Sequence, residues 1–191
     1  TSNAVDAAVA TQSAYNAQLA GLQASKLALE TEKKAYTDAG IEAQYEQINE
    51  SFASVRNMAS GYGMDASAYP ADISDALKSP KKLEALTAFM KQIGQSDAAA
   101  SLTTDNLKQL DQIVNTRLPQ IDTELANLAV EIQAAQAIAD QVNEQVKAAT
   151  DNYEALEFGK ISAAVGFSTG AAQIADGQAA LSNSEDQLAD A

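Results

Sequence analysis

The C-terminal part of the chain carries mostly apolar or small residues at positions that alternate in steps of three and four. These seam positions are Leu118, Ile121, Leu125, Leu128, Ile132, Ala135, Ala139, Val142, Val146, Ala149, Tyr153, Leu156, Lys160, Ala163, Phe167, Gly170, Ile174, Gly177, Leu181, Ser184, Leu188 and Ala191. Such steps place all of these residues on one stripe of a helix, which is typical of a coiled coil. The pattern therefore predicts one long helix that packs against a partner helix.

The seam changes character after Lys160, where large and small residues begin to alternate, as in Phe167 with Gly170 and Ile174 with Gly177. Small residues allow a partner backbone to approach closely, but each Gly lowers helix stability by about 1 kcal/mol relative to Ala. We therefore expect this stretch to need a partner helix. Where the first arm is too short to supply one, a second copy of the chain can pair with it, which predicts a possible homodimer through the C-terminal arm.

The N-terminal part carries a matching stripe. Its members are Val5, Ala8, Gln12, Tyr15, Leu19, Leu22, Lys26, Leu29, Lys33 and Tyr36, followed one residue out of phase by Ile41, Tyr45, Ile48, Phe52, Val55 and Met58 or Ala59. The slip falls at Gly40 and indicates a local change of supercoil. Lys26 and Lys33 either set the register as polar seam residues or lie along the seam beside a small partner residue.

Between the two stripes, breaks and capping residues predict a small helical head. Gly61 to Gly63 end the first long helix, and short helices are predicted to begin at Asp72, at Ser79-Pro80 and at Thr103 or Thr104. Pro119 falls either in the first turn of the return helix or at a kink within it. The predicted fold is all-α: a long antiparallel two-helix coiled-coil hairpin with a small helical head domain. Its parts are an ascending arm at 1–60, a head at 61–117 and a descending arm at 118–191, which stops in mid-repeat and suggests a piece of a larger protein.

Composition argues against catalysis and against nucleic acid as a partner. The chain has no Cys and no His, so it lacks the commonest nucleophile, general base and zinc ligands. It contains no phosphate-binding glycine loop and no calcium-binding loop, and its paired carboxylates are expected to face water. We therefore predict no enzyme activity, no metal and no cofactor. A net charge of −14, about −10 of it after residue 118, disfavours binding to nucleic acid or to an anionic membrane surface.

The head is nearly neutral by comparison, which makes it the more plausible place for another protein to dock. Its candidate contact residues are Tyr62, Met64, Tyr69, Lys78, Lys81 and Lys82. The two tyrosines either present exposed rings in a glycine-containing loop or pack that loop onto the head. The lysines either form a solvated surface or attract an acidic partner, since Lys81 and Lys82 open a helix where the dipole disfavours cations.

Two stretches carry a resemblance to known families. IADGQAALSNSEDQLADA at 174–191 resembles the repeated helices in the large extracytoplasmic domains of FtsX-like (MacB-related) ABC transporter permeases of Gram-positive bacteria, and RLPQIDTELANL at 117–128 is similar to the return arm of those inserts. YhgE/Pip phage-infection proteins and some MMPL-type transporters carry similar Gly-spaced heptads. The permease resemblance implies an extracytoplasmic coiled-coil stalk of a plasma-membrane protein, whose ATPase is separate and whose head meets a protein partner or a transport substrate. The YhgE/Pip resemblance implies a surface-exposed structural or phage-receptor-like module.

Overall fold

The computed structural model describes residues 2–189, with side chains to residue 185, and all regular secondary structure in these residues is helical. The α-helices are α1 (Ser2–Asp38), α2 (Ile41–Gly61), α3 (Ile73–Lys78), α4 (Pro80–Gln92), α5 (Ser96–Ser101), α6 (Thr104–Gln112) and α7 (Leu118–Ala189). A 3-10 turn spans Ala66–Ala68, and a π-helical turn spans Ile113–Arg117. The predicted fold class, an all-α helical hairpin with short helices between its arms, is confirmed.

The described residues fall into two compact units, and the smaller one is formed by residues 2–20 and 134–189. Here the beginning of α1 packs against the middle of α7 along a seam in which Leu19, Ala135, Ala139 and Val142 are buried. The side chain of Gln12 spans the pair, because its Nε2 donates a 2.7 Å hydrogen bond to Oδ1 of Asn143. Along this helix pair, the predicted seam positions thus form the buried face of both helices.

The seam is no longer covered beyond the end of this pair. Leu156 is 60% exposed, and Phe167 and Ile174 are 80% and 64% exposed, although all three fall on predicted seam positions. The expected alternation of large and small residues is present in the helix, but no part of the described chain packs on it. The side chain of Leu188 and the whole of Ala191, the last two seam positions, lie outside the described residues.

The larger unit, residues 21–133, contains the second part of α1, the first part of α7 and the helices between them. Leu118 and Ile121 of α7 are buried, and Lys33 of α1 forms an ion pair with Asp122 of α7. The aliphatic stem of Lys33 is half-buried on the stripe while its ammonium reaches a carboxylate on the opposite helix. Lys26 differs, since it pairs with Glu30 on its own helix at 3.6 Å.

Gly40 interrupts the ascending arm more sharply than the change of supercoil expected from the phase slip. Its φ of 65° lies in the left-handed region, so α1 ends at Asp38 and α2 begins at Ile41. A residue with a Cβ is strained in this conformation, whereas Gly adopts it freely.

The stripe of α2 is buried as predicted, but its partners are the short helices. Phe52, Val55 and Ala59 belong to the core of the head together with residues of α3, α4, α5 and α6, among them Ile73 and Leu86, which are fully buried. Of the two residues that could continue the stripe, Ala59 is buried and Met58 is 38% exposed. The head core therefore extends into α2, upstream of the Gly61 break.

The short helices begin and end largely where their capping residues predict. Asp72 accepts a hydrogen bond from the backbone N–H of Asp75, and Thr103 accepts one from Asn106. Pro80 occupies the first turn of α4, and Gly94, with a φ of 83°, follows its end. Local signals thus begin α3, α4 and α6, and buried side chains then hold the helices together.

Pro119 is accommodated by a π-helical turn, which the sequence did not indicate. The N–H of Leu118 bonds to the carbonyl of Ile113, five residues back, so helix continues from α6 into α7 without a loop. Because Pro119 has no N–H and cannot complete the usual bond at this point, a widened turn immediately before it costs less than it would elsewhere.

Candidate docking surface on the helical head

The loop after α2 is shaped by one glycine and one aspartate. Gly63, with a φ of 75°, turns the chain after Gly61, where α2 ends. Asp65 then accepts hydrogen bonds from both the backbone N–H and the hydroxyl of Ser67, at 2.9 and 2.7 Å, and these bonds lower the pKa of Asp65. The loop is tied back to α2, since Nε of Arg56 donates to the carbonyl of Ala66. The loop is therefore held by hydrogen bonds both within itself and to α2.

Three aromatic rings and a methionine meet at this loop. Phe89 of α4 lies between the others: its ring centroid is 6.3 Å from Tyr62, edge-on, and 5.7 Å from Tyr69. The hydroxyl of Tyr69 contacts Sδ of Met64 at 3.3 Å. Tyr62 is 70% exposed and contacts Phe89, and Met64 is 41% exposed and contacts Tyr69; these two exposed side chains are called the Tyr62 surface below.

The two tyrosines of this loop have different environments. Tyr69 is buried in the head core, so of the two interpretations left open by the sequence, packing of the loop holds for this ring. Tyr62 packs against Phe89 with the two ring planes at 65° and leaves most of its surface to solvent. Phe89 was not among the candidate residues, because its helical spacing marks it only as a core residue.

The three candidate lysines also differ in their exposure and in their partners. Lys82 is half-buried and forms an ion pair with Asp75 at 3.1 Å, which makes it part of the packing between α3 and α4. The pKa of Asp75 is lowered by the backbone N–H of Ala71 and by Lys82. Lys78, in the last turn of α3, and Lys81, at the start of α4, are both exposed. An acidic partner would therefore meet Lys78 and Lys81 rather than all three ammonium groups.

The larger unit also contains an ion-pair network that the sequence does not predict. Nε and Nη2 of Arg117 donate to the two carboxylate oxygens of Glu32, at 2.7 and 2.5 Å, and Nη1 lies 3.6 Å from Glu124. This bidentate ion pair lowers the pKa of Glu32 and raises the pKa of Arg117. Only the antiparallel register of α1 and α7 brings these residues together, so no local motif could reveal the network.

In residues 2–185, no group of three or more His, Cys, Asp or Glu side chains could hold a metal ion, and no buried residue is polar or charged. Tyr45 has a raised pKa, chiefly because of partial burial, and its hydroxyl donates to Asp111. The pKa shifts resolved in the structure thus arise at ion pairs, caps and this tyrosine.

No family model, no curated protein and no solved structure matches the chain. The resemblance to permease and phage-infection families therefore rests on the residues quoted from 117–128 and 174–191 alone. No helix in the described part of the chain is both long and apolar enough to cross a membrane.

Proposed function

We propose that the chain is the non-catalytic stalk and head domain of a bacterial ABC-type permease, placed outside the cell, and that it couples motion of the parent protein's membrane helices to a partner or substrate. The observation that supports this most directly is the Tyr62 surface. An exposed Tyr beside a Met, backed by the buried rings of Phe89 and Tyr69, has the composition of a protein-binding hot spot. Phe89 and Tyr69 are already buried and packed against each other, so little conformational entropy would be lost at this base on binding.

The coupling role is supported by how the larger unit is braced. Arg117 of the turn before α7 donates two hydrogen bonds to Glu32 of α1, and Lys33 of α1 pairs with Asp122 of α7. Two sets of ion pairs therefore connect α1 to the beginning of the descending arm. Asn49 of α2 also accepts a 2.8 Å hydrogen bond from the N–H of Ile73 at the start of α3. Displacement of the helices within this unit would consequently move the head core with them.

The extracytoplasmic location can be tested by labelling, because the chain contains no Cys. We expect a single Ser67→Cys substitution, at an exposed position of the 3-10 turn, to react with a membrane-impermeant maleimide on intact cells that express the full-length protein. The unsubstituted full-length protein is the control for other thiols. Labelling that requires permeabilised cells would overturn the location.

The docking role can be tested with a matched pair of substitutions in the full-length protein and its ATPase. Tyr62→Ser removes the exposed ring, whereas Leu27→Ser removes a side chain that is also largely exposed, at 64%, in the middle of α1. We expect Tyr62→Ser to reduce transport at least tenfold with unchanged ATPase activity in the absence of substrate, and Leu27→Ser to leave transport unchanged. Equal transport by both variants would refute the assignment of the surface.

The surface-exposed, phage-receptor-like module is the competing proposal. The full-length gene distinguishes the two: four membrane segments and a neighbouring ATPase gene support the permease, while a YhgE-type topology supports the receptor. In the second case the Tyr62 surface would be the part of the head displayed to the partner.

A further inference from the structure

A cavity of about 640 Å³ lies between α2 and α6, with α5 and Met90 of α4 completing its wall. Neither Tyr62 nor Met64 lines it, so it is separate from the proposed docking surface. This volume falls within the range of about 300–1,000 Å³ that is usual for sites of drug-sized ligands.

The floor of the cavity is apolar. It is formed by Ile41, Ile48, Met90, Leu102, Leu110 and Ile113. Met90 and Leu102 are buried in the head core, but Ile48, Leu110 and Ile113 are only half-buried and leave apolar surface facing the cavity. A ligand that covered this surface would gain the free energy of removing it from water.

The rim of the cavity is polar but carries no charge. It consists of Gln44, Gln47, Ser51, Ser101, Asn106 and Gln109. Glu42, Glu46 and Lys108 belong to the same two helices, yet none of them lines the cavity. In a chain with a net charge of −14, a wall without charged groups favours an uncharged ligand, since an ionic one would lose hydration without gaining a counter-charge.

Two of the rim amides are available to a ligand. Asn106 already donates to the carbonyl of Ser101 at 2.9 Å, and Gln44 donates to the carbonyl of Ala39 at 3.1 Å. Gln47 of α2 and Gln109 of α6 make no side-chain hydrogen bond within residues 2–185, and they approach the cavity from opposite walls. An amide both donates and accepts, so these side chains suit a ligand with hydroxyl, carbonyl or amine groups at its edges.

The wall formed by α6 is held in place at the π-helical turn. Nδ2 of Asn115 donates to the Tyr45 hydroxyl and to Asp111, at 3.0 and 2.7 Å, which joins this turn to α2 beside the cavity. The turn begins at Ile113, a residue of the floor. Widened turns of this kind are frequent at functional sites, and here the turn is braced against the opposite wall.

We propose that this cavity is a binding site for an uncharged, mainly apolar small molecule that carries hydrogen-bonding groups at its edges. The proposal stands independently of the permease assignment, because it rests on the lining of the cavity alone.

The test uses two probes that differ by one sulfonate: uncharged N-phenyl-1-naphthylamine and anionic 8-anilino-1-naphthalenesulfonate. Each is titrated into the full chain labelled with ¹⁵N, and binding is followed by amide chemical shifts. We expect the uncharged probe to cause saturable shifts at Ile48, Leu110 and Ile113, with an affinity at least tenfold higher than that of the sulfonate.

Two matched pairs of variants test whether the probe binds in the cavity. Ser51→Phe fills the cavity from α2, whereas Ser54→Phe changes another exposed serine of that helix which does not line it. Ala98→Phe and Ala100→Phe form the same comparison on α5. We expect each cavity variant to weaken binding of the uncharged probe at least tenfold and each control to retain the affinity of the unsubstituted chain.

Three results would overturn the proposal. The first is a set of shifts confined to the exposed apolar residues of α7 beyond Leu156, which would show that this helix binds the probe. The second is equal affinity of the two probes at the cavity. The third is unchanged affinity in both Ser51→Phe and Ala98→Phe, since two independent fillings would then have no effect.

Discussion

The contribution of the seam to stability can be measured by truncating one side chain that is fully buried in it. Ile121 of α7 has no exposed surface, whereas Ile161 of the same helix is 61% exposed. Ile121→Ala removes three carbons at about 0.8 kcal/mol each, and the cavity that remains adds to this cost. We expect the free energy of unfolding to fall by about 3 kcal/mol, within the range of about 2–5 kcal/mol that such truncations give.

The same substitution at Ile161 supplies the control. No buried contact is lost there, and Ala has a higher helix propensity than Ile, so we expect a change within about 0.5 kcal/mol. Urea unfolding followed by circular dichroism at 222 nm measures both variants. With a slope of roughly 1–3 kcal/mol per molar urea, Ile121→Ala should lower the midpoint by roughly 1–3 M.

Similar midpoints for the two variants would show that burial of Ile121 contributes no more to stability than an exposed position on the same helix, which is the opposite of the expected result. A second unfavourable result would be a large loss in Ile161→Ala, which would mean that the outer part of α7 is covered in solution.

Two further predictions concern charge and backbone conformation. Arg117 lowers the pKa of Glu32 in the folded state, so the stability that this carboxylate contributes is present above the pKa of the unfolded chain and is lost as the pH falls through the lowered folded value. Glu32→Gln should therefore lower the melting temperature at pH 7, and its melting temperature should differ progressively less from that of the unsubstituted chain from pH 5 to pH 3. A difference that grew on acidification would contradict this prediction. Gly40→Ala should destabilise the chain by about 1–2 kcal/mol, because Gly40 has a φ of 65°. Gly21 lies inside α1 and, like Gly40, has no neighbouring atoms where the methyl would be added, so Gly21→Ala should stabilise the chain by about 0.5–1 kcal/mol. Calorimetry measures both variants, and changes of the same sign would contradict the prediction.

Features that depend on spacing along one helix could be predicted from the sequence. The seam from Val5 to Tyr36 is the less exposed face of α1, and the seam from Leu118 to Tyr153 is that of α7. The caps at Asp72 and Thr103 could also be identified, because each needs only a few neighbouring residues.

Features that depend on which segments meet could not be predicted in this way. Spacing shows that Phe52 is buried, but the packing of the short helices decides that its partners belong to the head rather than to α7. Leu156 keeps the spacing of the seam and is exposed, because nothing in the described chain packs on it, and the neighbouring Glu157 is the less exposed of the two. Tyr62 and Tyr69 are the same residue type in one loop and both contact Phe89, but only Tyr69 is packed into the head core, which no local spacing indicates.

The small side chains at the seam of residues 2–20 and 134–189 have a consequence for local opening. Ala135 and Ala139 remove little apolar surface from water, whereas the larger unit closes over Phe52, Leu86 and Ile121. Local unfolding free energies follow such differences in burial. Amide hydrogens near the beginning of α1 should consequently exchange with solvent deuterium well before those of α4, through local opening that leaves the head core folded.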